Sequence, residues 1–238
     1  MSSKSLVCAA LALACAVVPS LAQSPATLGA PQTPGRAPGR DFDAAWTSYF
    51  GPEHFAYMAV KNPNIDGPLM HRPLDSDPAA VPAQAKEGNP AQFLRAFIED
   101  AKKEKIIEAN LTELTPEGFA VGLAAGADPK KEPAALLVAP RNAKLSRFHD
   151  WVIAHYKKQN GADSVAEVKI EGFTGVKLLK SGKTTPVIVN AETVVLLSNS
   201  EAELAKARKR AKDGKDTLAT ARYYKRGRSR VGADAALF

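Results

Sequence analysis

The chain has 238 residues, 45% apolar, 24% charged and 7% aromatic, with 32 basic side chains against 25 acidic ones. It is too apolar for wholesale disorder and too short for more than one or two domains. The formal charge of +7 raises a nucleic-acid or anionic-surface reading, which the placement of the charges along the chain must answer.

Residues 1–22 read as a signal peptide. Lys4 precedes an apolar run from Leu6 to Val18, and Pro19 leads into Ser20-Leu21-Ala22, after which cleavage is expected. The run is shorter than the roughly 18 residues that suggest a bilayer span. The expectation is therefore an exported chain, periplasmic or extracellular, with no transmembrane segment once the signal is removed. Cys8 and Cys15 both fall inside this segment, so the mature part holds neither disulfide nor thiolate metal site. A lipoprotein anchored at Cys15 is the competing reading; Leu13 stands one place off the usual pattern for it.

Residues 23–40 hold four prolines and three glycines and read as a disordered tether. Residues 41–238 are expected to form a single domain. Asp41 caps a short helix carrying Phe42, Ala45, Trp46 and Tyr49 and closed by Gly51, and Phe55–Val60 is a strand candidate. A proline-rich excursion covers 61–90. Asn89-Pro90 opens a helix with Phe93, Leu94, Phe97, Ile98 and Ala101 on one stripe. Gly118–Ala125 and Ala134–Ala139 form a hairpin about Ala127-Asp128-Pro129-Lys130, and Ala143–Gln159 is an amphipathic helix closed by Asn160-Gly161.

Val165–Ile170, Val176–Leu179, Val187–Val189 and Thr193–Ser198 follow as an antiparallel meander, turning at Ser181-Gly182-Lys183 and Asn190-Ala191-Glu192. Ser200-Glu201-Ala202-Glu203 is a capping box, with Glu203 reaching back to the chain at Ser200. Its helix runs to Asp213 with Gly214 as a left-handed stop, and another covers Thr220–Val231. The fold class expected is α+β: an antiparallel sheet of hairpins and a meander, with amphipathic helices packed on one side. Ala233–Phe238 looks like a strand just beginning, which suggests a longer parent chain continuing after Phe238.

Catalytic and metal motifs fail on inspection, so no catalytic residue, metal ligand or cofactor is assigned. Lys180-Ser181-Gly182-Lys183-Thr184 resembles the end of a phosphate loop, but Lys177 stands where its first glycine belongs. His149 and His155 are six apart on one helix, about 600° of rotation, and do not stack as metal ligands at i and i+4 do. His54 and His71 have no nearby carboxylate pattern. Glu99-Asp100 and Glu201/Glu203 sit where exposure or capping explains them. Trp46, Tyr49, Phe50, Phe55 and Tyr57 could line a groove, though helical spacing accounts for most of them as core.

Basic residues concentrate at one end. Between Lys206 and Arg230 there are eleven cations and two acids, Asp213 and Asp216, with Tyr223-Tyr224 interrupting the run. Arg208, Lys209, Arg210, Lys212, Arg222, Lys225, Arg226, Arg228 and Arg230 are the candidate anion-binding residues, for an anionic polysaccharide, lipid or nucleic acid. The bland alternative is a helix with Glu201 and Glu203 at its start and lysines at its end, as the helix dipole favours.

Thr185–Val189, Val194–Ser200, Leu204, Asp213-Gly214-Lys215 with Leu218-Ala219, and Gly232–Ala235 together resemble a group of exported bacterial proteins of unknown function. The likeness covers roughly residues 115–238. It implies an α+β exported domain and a longer parent chain, and it brings no catalytic residue. The function expected is a structural or protein-binding domain without enzymatic activity, its partner another exported protein or an anionic surface. An anion-binding module acting through 206–230 is the alternative.

Overall fold

The computed structural model describes residues 44–60, 90–108, 111–125, 133–179 and 185–231. The expected signal, tether, proline-rich excursion and terminal strand lie outside these residues, apart from Pro90, as do His71, Asp41, Phe42 and the Ser181–Lys183 turn.

The architecture is a seven-stranded antiparallel sheet with helices, an α+β fold as expected. Its strands are β1 (His54–Val60), β2 (Phe119–Ala124), β3 (Ala134–Pro140), β4 (Val165–Ile170), β5 (Phe173–Leu178), β6 (Val187–Asn190) and β7 (Val194–Ser198). The helices are α1 (Ala44–Thr47), α2 (Pro90–Lys103), α3 (Ala143–Asn160), α4 (Glu201–Asp213) and α5 (Arg222–Val231). None of the described helices is long and apolar enough to cross a membrane.

Strand order is β1-β2-β3-β7-β6-β5-β4. Two meanders, one on either side of α3 in the sequence, meet where β3 pairs with β7, Leu137 opposite Leu197. Asn199 secures that junction by accepting from the Ala135 N–H at 2.8 Å. Alternation along each strand loads both faces of the sheet. Ala120, Leu136, Val138, Val187, Val189 and Leu196 belong to one core with Trp46, Phe50, Leu204, Ala207, Leu218 and Tyr224, so α1, α4 and α5 cover that face. Ile188 points the other way, towards Phe97, Ile98, Trp151 and Val152 of α2 and α3. The expectation of helices on one side is thus corrected. Near-continuous apolar runs such as Val187–Val189 bury both faces of a strand, and two-sided burial needs two helical layers.

Local signals place most boundaries. Asn142 caps α3 by accepting from the Leu145 N–H at 2.8 Å, and Gly161, at φ 92°, ends that helix. Ser200 caps α4 by accepting from the Glu203 N–H at 3.2 Å, and Gly214, at φ 65°, stops it. The reciprocal half of the capping box is not made. The Ser200 N–H donates to Ser198 Oγ at 3.0 Å, and the Glu203 carboxylate turns inward instead. β5 begins three residues earlier than expected, because Glu171 and Gly172 take positive φ and close a two-residue hairpin joining Ile170 to Phe173.

Candidate functional site

The densest polar cluster among the described residues lies where the loop before β1 meets the inner face of α4. Glu203 and Arg210, seven apart, fall on the same side of α4 as Leu204 and Ala207, so packing this face on the sheet buries both charges. Their partners come from the other end of the chain. Arg210 donates through Nη1 to Glu203 Oε1 at 2.9 Å and to the Tyr49 carbonyl at 3.1 Å, and through Nη2 to Glu53 Oε1. Planar guanidinium geometry suits this bridge between two carboxylates.

His54 completes the cluster, its side chain fully buried and its Nε2 3.5 Å from Glu203 Oε1. The Gly51 N–H lies 3.0 Å from Nδ1; the Gly51 carbonyl, 3.1 Å from the same nitrogen, already accepts from the His54 backbone N–H. Nδ1 is thus engaged with Gly51, whereas among the described residues Nε2 faces Glu203 without a hydrogen bond. Burial pushes the His54 pKa below its ordinary value, against the pull of the Glu203 carboxylate. Phe50 packs edge-on against the imidazole with ring centroids 5.1 Å apart. Gly122 of β2 makes room for both rings, since a Cβ there would lie 2.6 Å from His54 Cδ2 and from Phe50 Cδ1.

Glu53, His54 and Glu203 bring three potential metal-ligand atoms within 4.8 Å of one another. Arg210 already bridges the two carboxylates, and Lys206 Nζ stands 4.0 Å from an oxygen of each. A divalent ion would add to two cations facing two carboxylates. The donor set therefore suits an internal ion-pair network better than a metal centre. Acid–base chemistry meets a similar obstacle, because His54 and Glu203 are shut off from solvent and only Glu53 is partly open, at 33% exposed.

The candidate anion-binding residues divide by their position on the helices. Arg210 leaves that set: its guanidinium is buried and spent on Glu53 and Glu203. Arg208 is half-buried and lies over the Phe173 ring, 4.2 Å from its centroid. Lys209 and Lys212 of α4 and Arg222, Lys225 and Arg226 of α5 are exposed, as are Lys206 and Lys215. Arg228 and Arg230 lie on α5, with side chains outside the described residues. Leu218, Ala221 and Tyr224 bury the opposite side of this segment, which turns its cations outward.

Of the aromatic group, Trp46 and Phe50 are core and Tyr49 and Tyr57 pack against it, while Phe55 points outward at 63% exposed. His155 is buried beside Trp151 and Phe97 and bonds Gln159 at 2.7 Å, and His149 bonds its neighbour Asp150 at 2.9 Å. Comparison with protein-family models, with curated proteins and with solved structures finds no match for the chain.

Proposed function

We propose that this chain is an exported protein-binding or structural domain that carries no catalytic chemistry of its own, related to the exported bacterial proteins of unknown function it resembles. One observation carries this reading: Arg210 pairs with both Glu53 and Glu203 and His54 lies buried beside them, while Lys209, Lys212, Arg222, Lys225 and Arg226 of α4 and α5 stand exposed. A catalyst needs its titrating groups within reach of a substrate. A binding face needs its charges outside.

Photocrosslinking amino acids at Lys209, Lys225 and Arg226, in cells exporting the chain, test the proposal. Capture of one discrete exported protein is the expected result. Turnover of a small molecule that disappears in Glu203→Gln, without capture, would overturn it.

The outward cations also favour a second reading, an anion-binding module. Replacing Lys209, Lys212, Lys225 and Arg226 with Glu should abolish retention on heparin and on anionic vesicles, and binding by the parent chain should fall steeply with salt. Reversal at Arg210 would confuse the test by breaking the buried network.

A further inference from the structure

We propose that Phe55, Tyr223 and the cations around them dock the domain on an anionic lipid surface, the two rings entering the headgroup layer and the cations facing its phosphates. This rests on the anion-binding reading above and names the surface.

Phe55 and Tyr223 are the exposed large hydrophobic residues among those described, at 63% and 51%. They share one place. Tyr223 of α5 donates its hydroxyl to the His54 carbonyl at 2.8 Å, next to Phe55 in sequence, and lies 3.1 Å from the Pro52 carbonyl. Its ring is therefore fixed against the start of β1 rather than loosely solvated. Phe55 stands at a bulge, where the β1–β2 register passes from His54↔Ala124 to Ala56↔Leu123, and a bulge re-aims a side chain out of the sheet's alternation.

Cations surround the pair. Arg222 and Arg226 are exposed four residues apart on α5, which puts them on one side of the helix, and Tyr223 is three residues from Arg226. Lys225 is exposed as well, and α5 contains no acidic residue. The charge of Glu53 reaches Tyr223, but Arg210 bonds that carboxylate and Lys206 Nζ lies 4.0 Å from it. The charge of α5 is thus left uncancelled.

Rings and charge together select the surface. A polyanionic glycan takes the cations and leaves Phe55 in water. A stable protein interface needs a matched surface of roughly 800 Å² a side, of which two aromatic side chains supply about 150–250 Å² each. A headgroup layer needs no matched shape. It accepts tyrosine at its polar level and phenylalanine at the acyl boundary, and its negative potential holds arginine and lysine.

The test is cosedimentation of the chain without residues 1–22 with vesicles of equal parts phosphatidylglycerol and phosphatidylcholine, against vesicles of phosphatidylcholine alone. Binding to the anionic vesicles only, weakening with salt, is expected. Phe55→Ser should weaken it at least about tenfold, and its exposure leaves the core intact. Tyr223→Phe keeps the ring and should bind like the parent, whereas Arg222→Glu with Arg226→Glu should abolish binding. That chain has no cysteine, so a polarity-sensitive dye can be placed at will. On Ser229→Cys, exposed on α5, its emission should shift to the blue with anionic vesicles; on Ala154→Cys, exposed on α3 over the other sheet face, it should not. No sedimentation with anionic vesicles, parent-like binding by Phe55→Ser, or equal shifts at both dye positions each overturns the proposal. Retention on heparin without vesicle binding rejects the lipid surface and leaves the anion-binding reading standing. Failure on both rejects that reading too, and capture of an exported protein at Arg226 without vesicle binding assigns this face to a protein instead.

Discussion

Arg210 shows how far a side chain's role departs from its neighbours' in a run of like charges. Lys209 beside it is solvated, whereas Arg210 holds two carboxylates together. Removing one partner of a buried pair leaves an uncompensated charge, so Arg210→Ala should cost about 3–5 kcal/mol of unfolding free energy in urea titrations. Arg210→Lys should recover little of this, because an ammonium cannot make the two-armed bridge. His54 adds a pH dependence of definite sign. Its pKa is lowered by burial, so the unfolded chain takes up the proton first, and its contribution is full above the unfolded value of about 6.5 and fades as pH falls towards the folded one. Denaturation midpoints of the parent chain should drop on going from pH 7.5 to pH 5, and His54→Gln should flatten that part of the profile. Nothing in the sequence around His54 reveals this. Glu53 adjoins it, but Glu203 and Arg210 arrive from far along the chain, and only packing α4 over the loop before β1 brings them together.

At the level of elements, the turn and cap chemistry written into the chain was largely readable. Ser200, Asn142, Gly161 and Gly214 do what residues of their type do at helix ends, and Ser200→Ala should cost about 1 kcal/mol. Glu171-Gly172, a polar residue and a glycine between apolar runs, is a hairpin signal in the sequence, and it starts β5 at Phe173 rather than at the expected Val176. Gly122 belongs to a different class. Its backbone is ordinary strand, and it is glycine because two aromatic rings press on it from β1 and the loop before it. Gly122→Ala should destabilise by about 1–3 kcal/mol through overpacking, and crystallography of the variant should show Phe50 or His54 displaced. The capping box failed in part because the tertiary fold offers Glu203 a guanidinium, a stronger partner than a backbone amide that Ser198 can already satisfy.

Across the whole molecule, the β3–β7 pairing joins two local meanders into one sheet and so creates two faces to be covered. Export is a prediction at this scale: mass spectrometry of the chain recovered from the extracytoplasmic fraction should show loss of residues 1–22 and an N-terminus at Gln23. By itself the sequence determined the α+β class, the cap at Ser200, the stops at Gly161 and Gly214 and the placing of the excess +7 at one end, because these depend on neighbours within a few residues. Only the tertiary structure decided which sheet face each helix covers, which of the basic residues are available at the surface, and that a histidine, two glutamates and an arginine from opposite ends of the chain form one buried network. The physical reason is the same in each case. Burial and pairing between residues distant in sequence arise from packing one layer on another, and periodicity along the chain shows that a face is apolar without showing what it meets.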